Sequence, residues 1–194
     1  MHEELIDAFK VVGKALKLEN LVPIAGLLGE CLVAEKLKEY GEVFRETKNY
    51  DFRVEKNGEP VYVQVKTKCV GKSWQLNAGK FLDIEDNGIR KIQIIKGIRD
   101  EHMWKKNSFF IFVDLNIKDL DFKTLTSKFY IIPSKDLLEI IYKTYPSKRI
   151  NGELVKERPK GRWDSKHCLI SVEDIKEYED KWKLIQKALT SETL

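Results

Sequence analysis

The chain lacks the features of secreted, disulfide-stapled and membrane proteins. It has three cysteines, Cys31, Cys69 and Cys168, which are widely spaced and form no Cys-x-x-Cys pair. An odd, dispersed set favours reduced thiols over a disulfide framework or a structural zinc site. No apolar run approaches the ~20 residues that a membrane-spanning helix needs. The first residues include Glu3 and Glu4, where a secretory signal would be basic. We therefore expect a cytoplasmic protein that binds no membrane.

Internal repeats and low-complexity tracts are also missing, and the net charge is only +4 over 194 residues. With 42% hydrophobic and 34% charged residues, the chain can bury a sizeable core, and we expect one domain over residues 1–194. Positive charge is concentrated between Ser147 and Lys166, a segment that contains seven basic and three acidic residues. We interpret this segment as a basic loop suited to a phosphate backbone, with an inert solvated loop as the alternative. Its candidate nucleic-acid contacts are Lys148, Arg149, Lys156, Arg158, Lys160 and Arg162.

The centre of the chain is predicted to form a β-hairpin. Two apolar/polar runs, Asp51–Glu55 and Val61–Lys68, flank a turn that contains an Asn-Gly pair, the strongest short-range hairpin signal. Because side chains alternate between the two faces of a strand, Gln64 and Lys66 share one face, and the hairpin can bring Asp51 beside them. An acid, an amide and an ammonium at one sheet edge are a plausible metal and phosphate site. A half-solvated hairpin with a polar outer face explains the same residues without any function.

A helix is predicted before the hairpin, from Ile24 to about Tyr40, with Gly41 at a typical post-helix position. Glu30 lies within it at the margin of the apolar stripe, where an unpaired carboxylate is costly. A metal, a lysine or water would satisfy this carboxylate, and simple exposure or pairing is the alternative. The small residues Gly26 and Gly29 just upstream let a strand edge approach closely, which favours a functional role.

The remaining pattern predicts alternating strands and helices around a buried central strand. Residues 70–87 are interpreted as irregular. Lys72 and Trp74 either contact a nucleic acid there, or Trp74 is buried and anchors the loop. Periodicity favours a helix at Ile89–Lys106, although residues 92–95 would also suit a strand. A continuous apolar run at Ser108–Leu115 is typical of a strand buried on both faces of a mixed sheet. The other expected elements are strands at Glu42–Thr47, Lys128–Ile132 and Cys168–Ser171 and helices at Glu3–Lys17, Lys135–Tyr145 and Val172–Leu189.

This order of elements resembles the restriction-endonuclease-like, or PD-(D/E)xK, nuclease superfamily. The resemblance rests on Gly29-Glu30, Tyr50-Asp51-Phe52 and Val63-Gln-Val-Lys-Thr67, and it covers roughly Ile24 to Leu115. It is closest in kind to Mrr-like and homing-endonuclease relatives, which also have Gln in place of the acid before x-Lys. The resemblance implies an α/β fold with an αβββαβ core over about residues 24–115, a mixed sheet flanked by helices, and N- and C-terminal helical additions. Residues 116–194 would form a C-terminal extension.

The resemblance also implies a metal-dependent DNA endonuclease that uses Mg²⁺ or Mn²⁺. Asp51, Gln64 and the Val65 carbonyl would bind the metal, Glu30 would bind a metal-bound water or a second metal, and Lys66 would act on the attacking water. Lys68, on the same face as Lys66, would contact a neighbouring phosphate. The chain departs from the family pattern because no Pro precedes Asp51 and because Gln64 is neutral, which predicts weak metal binding.

Three other functions fit the same sequence, the weakest of them a nuclease that acts on RNA. A non-catalytic DNA-binding module on this fold would keep the site only as scaffold, and an unrelated α/β interaction protein would need neither metal nor DNA. Duplex or branched DNA is the expected partner of the nuclease, and cleavage of both strands of a duplex would favour a homodimer.

Overall fold

The chain forms two compact units, each made of discontinuous segments. One comprises Met1–Lys72, Asn107–Pro133 and Ile175–Leu194, and the other comprises Ser73–Lys106 and Ser134–Asp174. The computed structural model describes residues 4, 7, 8, 11, 22–46, 49–56, 58–69, 71–88, 92–99, 107–116, 126–157 and 164–190. The expectation of a single domain stays a prediction.

The first unit is built on a five-stranded mixed sheet. Its elements are α1 (Val22–Leu37), β1 (Glu42–Arg45), β2 (Phe52–Glu55), β3 (Val61–Lys68), β7 (Ser108–Asn116) and β8 (Thr126–Pro133). The strands run in the order β1-β2-β3-β7-β8; β3 and β7 are parallel, and every other neighbouring pair is antiparallel. The predicted α/β class with a mixed sheet is therefore confirmed, and the predicted apolar strand is β7, which lies inside the sheet between β3 and β8.

One face of this sheet carries the core of the unit. The alternating residues Val61, Val63 and Val65 of β3 are buried, and they pack in one apolar cluster with α1 and with residues 182–189. Tyr62, Gln64, Lys66 and Lys68 belong to the opposite face and are only partly buried. This alternation follows from the two-residue period of a strand, and it leaves the polar residues of β3 on a common face.

The second unit contains two antiparallel sheets and one amphipathic helix. One sheet has the strand order β5-β6-β10-β9, and the other pairs β11 with β4. The elements are β4 (Ser73–Asn77), β5 (Leu82–Asn87), β6 (Ile92–Ile98), α2 (Ser134–Thr144), β9 (Lys148–Ile150), β10 (Glu153–Glu157) and β11 (His167–Ser171). The chain then continues through α3 (Val172–Ile175), a 3₁₀ turn at Lys176–Tyr178 and α4 (Lys183–Leu189).

The structure corrects four expectations about these elements. Residues 92–98 form strand β6, not a helix, since the i, i+3 spacing of their isoleucines also suits a β-branched run that is buried on both faces. The segment expected to be irregular holds β4 and β5, and the described part of the basic loop holds β9 and β10. The final helix is interrupted where Glu179 bridges to Tyr130 and Asp180 adopts a positive φ of 51°. The expected helix Glu3–Lys17 lies mostly outside the described residues.

Helix α1 packs closely against β3 at Gly29. A Cβ built on Gly29 would lie 1.9 Å from Thr67 Oγ1, whereas one built on Gly26 has no heavy atom within 4 Å. The close packing of α1 on β3 therefore requires a glycine at Gly29 but not at Gly26.

We expect Gly29→Ala to lower the free energy of unfolding by about 1–3 kcal/mol, because the added methyl group forces α1 away from β3. The matched control, Gly26→Ala, should leave stability unchanged or raise it by about 0.5–1 kcal/mol through its better helix propensity. Chemical denaturation of the three proteins measures both changes. Equal midpoints for the two variants would contradict the packing described here.

Candidate active site at the edge of β2 and β3

The backbone of Asp51 is fixed between two strands. Its N–H donates to the carbonyl of Val63 at 2.8 Å, and its own carbonyl accepts from the N–H of Glu46 at 3.0 Å. These two bonds extend the ladders that pair β2 with β3 and with β1. Asp51 therefore stands just before β2, where its side chain can reach past the end of that strand.

The Asp51 carboxylate is held by two short hydrogen bonds from β3. Its Oδ2 accepts from the side-chain Nε2 of Gln64 at 2.7 Å and from the backbone N–H of Val65 at 2.6 Å. Hydrogen bonds to an ionised acceptor are short and stronger than neutral ones. The structure thus brings together Asp51 and Gln64, which are 13 residues apart in sequence.

Lys66 lies on the same face of β3 as Gln64. The two residues are separated by one step of two, about 6.6 Å along a strand, and both are partly buried. Val65, between them, turns its side chain into the core and its N–H toward Asp51. Gln64 and Lys66 therefore share one face of β3, and Asp51 contacts this strand at Gln64 and Val65.

The oxygen atoms at this edge suit a hard divalent cation. Gln64 donates its NH₂ group to Asp51, which leaves its amide oxygen as an acceptor. The N–H and C=O of one strand residue point toward the same neighbour, so the Val65 carbonyl faces the side of Asp51. Carboxylate, amide and carbonyl oxygens are ligands that Mg²⁺ and Mn²⁺ accept. Only one of the three carries charge. Nowhere in the described part of the chain do three His, Cys, Asp or Glu side chains form a group able to hold a metal ion.

Glu30 is paired with a residue that the sequence analysis did not select. Its Oε2 lies 2.6 Å from Nη2 of Arg45, the last residue of β1, and the Glu30 and Arg45 side chains are 23% and 58% exposed. Arg45 also stands over the ring of Phe52, with 5.4 Å between the guanidinium carbon and the ring centroid. The partly buried Glu30 carboxylate is therefore paired with an arginine, and not with the expected lysine, water or metal. The only sequence signal for Arg45 was its place shortly before Asp51.

Lys68 forms an ion pair with a residue of the neighbouring strand β7. Its ammonium lies 2.6 Å from Asp114 Oδ2, and its side chain is only 9% exposed. Lys68 and Asp114 are register partners on the parallel strands β3 and β7. The Lys68 charge is therefore already offset by a carboxylate of the neighbouring strand, and its expected contact with a phosphate stays a prediction.

The other candidate nucleic-acid contacts fall into three groups. Trp74 is 2% exposed on β4, so the expectation that it stacks on a nucleic acid is corrected in favour of the buried alternative. Lys72 is exposed, as are Lys148 and Arg149 of β9. Arg158, Lys160 and Arg162 lie outside the described residues.

The described basic residues from 148 to 156 belong to a tight hairpin. Asn151 and Gly152 between β9 and β10 have positive φ angles of 49° and 83°, as a two-residue hairpin turn requires. Lys148 pairs with Glu157, and the Lys156 ammonium lies 5.4 Å from the Tyr145 ring centroid. The Asn-Gly signal was present in the sequence, but the high charge of the segment favoured a loop.

Comparisons with known proteins leave the family open. The sequence matches no protein-family model and no curated protein. Among solved structures, the chain is similar to the bacterial homing endonuclease I-Ssp6803I, with 14% identity, a TM-score of 0.43, and 88% of this chain and 97% of that chain covered. A likeness this distant does not establish a shared family or activity. None of the described helices is long and apolar enough to cross a membrane.

The ion pair of Glu30 and Arg45 also acts on a neighbouring thiol. Burial raises the pKa of Cys31 above its ordinary value, the negative charge of Glu30 raises this pKa further, and the positive charge of Arg45 partly lowers it. Cys69 provides a comparison, since burial raises its pKa and its own backbone N–H lowers it. The reactive form of a cysteine is the thiolate, so a raised pKa slows alkylation at a fixed pH.

At pH 8 we expect Cys31 to react slowly with iodoacetamide. Glu30→Gln should speed the reaction because it removes a charge that raises the pKa, and Arg45→Ala should slow it further because it removes the charge that lowers the pKa. Peptide-resolved mass spectrometry measures both rates, with Cys69 as the internal control that should not change. Equal Cys31 rates in the wild type and both variants would contradict the arrangement of these two charges.

Proposed function

We propose that the protein is a metal-dependent DNA endonuclease that hydrolyses phosphodiester bonds at the Asp51 edge of the first unit. One observation carries the proposal: the Asp51 carboxylate is fixed by Gln64 and by the Val65 N–H, with Lys66 next along the same face of β3. A solvated hairpin does not need a charged side chain fixed by two short hydrogen bonds from the neighbouring strand.

Each residue of this edge has a task in the proposed reaction. Asp51, the Gln64 amide oxygen and the Val65 carbonyl would hold Mg²⁺ or Mn²⁺, which lowers the pKa of water and offsets negative charge at the phosphate. Gln64 and the Val65 N–H orient the carboxylate through their hydrogen bonds to its Oδ2. Lys66 would orient the attacking water and stabilise the negative charge that develops as the bond from phosphorus to the leaving oxygen breaks.

A non-catalytic DNA-binding module is the second candidate. It is favoured by the single carboxylate of the site and by the ion pair that Glu30 already makes with Arg45. Both functions would use exposed positive charge, such as that of Arg149 on the β9–β10 hairpin, to attract a phosphate backbone. Only the nuclease needs Asp51 and Lys66 as chemical groups.

We expect Asp51→Asn and Lys66→Met each to lower plasmid cleavage by about 100-fold or more, as is typical when a group that stabilises transition-state charge is lost. Wild type, both variants and the control Asp83→Asn, an exposed acid on β5, should be purified in parallel and assayed with Mg²⁺ and with Mn²⁺. The control should cleave like the wild type, and Mn²⁺ should support more cleavage than Mg²⁺ at limiting concentration. Cleavage retained in both site variants would trace the activity to a contaminant and leave the binding module as the better proposal.

The metal site has a test that does not depend on cleavage. Gln64→Glu replaces a donor 2.7 Å from Asp51 Oδ2 with a second anion. Without metal the two carboxylates repel each other, so we expect a lower melting temperature in EDTA than that of the wild type. Added Mg²⁺ should then raise the melting temperature of the variant more than it raises that of the wild type, because an extra carboxylate strengthens binding and ligand binding stabilises the folded state.

Gln75→Glu is the matched control for this thermal-shift experiment, since Gln75 is exposed on β4. It should show no metal-dependent shift beyond that of the wild type. A Gln64→Glu protein that is destabilised in EDTA but gains nothing from Mg²⁺ or Mn²⁺ would refute metal binding at this edge.

A further inference from the structure

The two-stranded sheet of β4 and β11, called here the β4–β11 ribbon, has one buried face and one exposed face. Within the described part of the chain its strands pair only with each other. Side chains alternate along a strand, and register partners share a face. The inner face is apolar and buried, and it carries Trp74, Leu76, Cys168 and Ile170. The outer face carries the half-buried Ser73 and Ser171 and the exposed Gln75, Asn77, His167 and Leu169.

The middle of the outer face combines an amide with an exposed leucine. Gln75 and Leu169 are register partners, and Leu169 is 62% exposed. The solvated face of an antiparallel sheet is ordinarily polar, so a leucine at this position leaves apolar surface in water. The Gln75 side chain makes no hydrogen bond to a described residue, which leaves both its donor and its acceptor available.

Charge distinguishes this face from the other exposed sheet surface of the second unit. Strands β4 and β11 contain no acidic residue. Lys80 is exposed in the 3₁₀ turn Ala78–Lys80 that follows β4, and it makes no ion pair with a described residue. On the β5-β6-β10-β9 sheet, in contrast, Lys96 pairs with both Glu85 and Glu153. That sheet offsets its own charges, whereas the ribbon presents an available amide and an unpaired cation.

The size and chemistry of the outer face fit the major groove of duplex DNA. That groove is about 12 Å wide and admits a two-stranded ribbon, and the five residues of each strand span about 13 Å. A glutamine amide binds adenine N6 and N7 together, and an apolar side chain contacts the thymine methyl group. The major groove of duplex RNA is deep and too narrow for side chains to read. The ribbon therefore fits DNA better than RNA.

We propose that the β4–β11 ribbon binds in the major groove of duplex DNA and recognises base edges, with Gln75 on an adenine and Leu169 on a neighbouring thymine methyl group. Lys80 contacts the phosphate backbone beside the groove, which positions the ribbon without reading sequence. The proposal rests on the proposed function and adds sequence recognition to it. The Asp51 edge acts on the phosphodiester, and the ribbon selects the site that is bound.

The test selects bound sequences from a pool of duplexes with a randomised central segment, in EDTA so that no metal-dependent cleavage occurs. We expect the wild type to enrich a site that contains an A·T pair. Gln75→Ala should lose about tenfold discrimination at one position of that site. Gln75→Glu should prefer cytosine at the same position, because a carboxylate accepts from cytosine N4. Gln186→Glu, the same change at an exposed residue of α4, is the matched control and should enrich the wild-type site.

The contact of Leu169 has its own measurement. Replacement of the thymines of the enriched site by uracil removes only their methyl groups. We expect wild-type affinity to fall about fourfold for each contacted methyl group, whereas Leu169→Ala should bind the two duplexes alike. Duplex RNA of the same sequence should compete poorly with the DNA. Circular dichroism of each variant shows whether it is folded.

An unchanged site in folded Gln75→Ala and Gln75→Glu, or a wild type that enriches no site, would overturn base recognition by the ribbon. If that wild type still cleaves plasmid and needs Asp51 to do so, the proposed function stands without it. A Gln75-dependent site in a protein that cleaves nothing with Mg²⁺ or Mn²⁺ supports the ribbon and favours the binding module. Equal competition by duplex RNA would overturn recognition in the major groove, and a wild type that binds no duplex overturns both proposals.

Discussion

The candidate site depends on the two hydrogen bonds that the Asp51 carboxylate accepts from β3. The Gln64 amide and the Val65 N–H donate to Oδ2 at 2.7 and 2.6 Å. They reach it because Asp51 stands just before the first residue of β2, where β3 continues beyond the paired part of the ladder. The N–H of Val65 has no β2 residue of the ladder opposite it, and the carboxylate takes that position. A buried or partly buried donor that lacks a partner is costly, so this substitution stabilises the sheet edge as well as fixing the acid.

The packing of α1 on β3 forms the core of the first unit next to this edge. The alternating valines of β3 pack in one core with α1, and Gly29 allows the helix to approach Thr67 closely. The same close packing carries Glu30 to the end of β1, where it meets Arg45. The glycine at position 29 and the Glu30–Arg45 ion pair thus join α1 to β3 and β1.

Charge pairing explains why some basic residues are better candidates than others. Lys68 is paired with Asp114 through the parallel register of β3 and β7, and Arg53 is paired with Glu46 and Glu55. Lys66 lies on the face of β3 that the proposed function uses. A charge that is both paired and largely buried, as Lys68 is, contributes little to binding an added anion, because its field is already offset by a neighbour.

The sequence by itself determined the elements whose signals are local. The Asn-Gly hairpin, the two-residue alternation of β3, the apolar run of β7 and the helix that contains Glu30 all follow from spacing and turn chemistry, and they bring Asp51 beside Gln64. Tertiary structure decided what local patterns cannot distinguish. The isoleucines at i, i+3 spacing form strand β6 because neighbouring strands pair with it. Trp74 is buried by packing, and Lys68 is largely buried in an ion pair with Asp114 of the neighbouring strand. Arg45 became the partner of Glu30 only through the approach of α1 to β1, since contacts between residues far apart in sequence depend on how the elements pack.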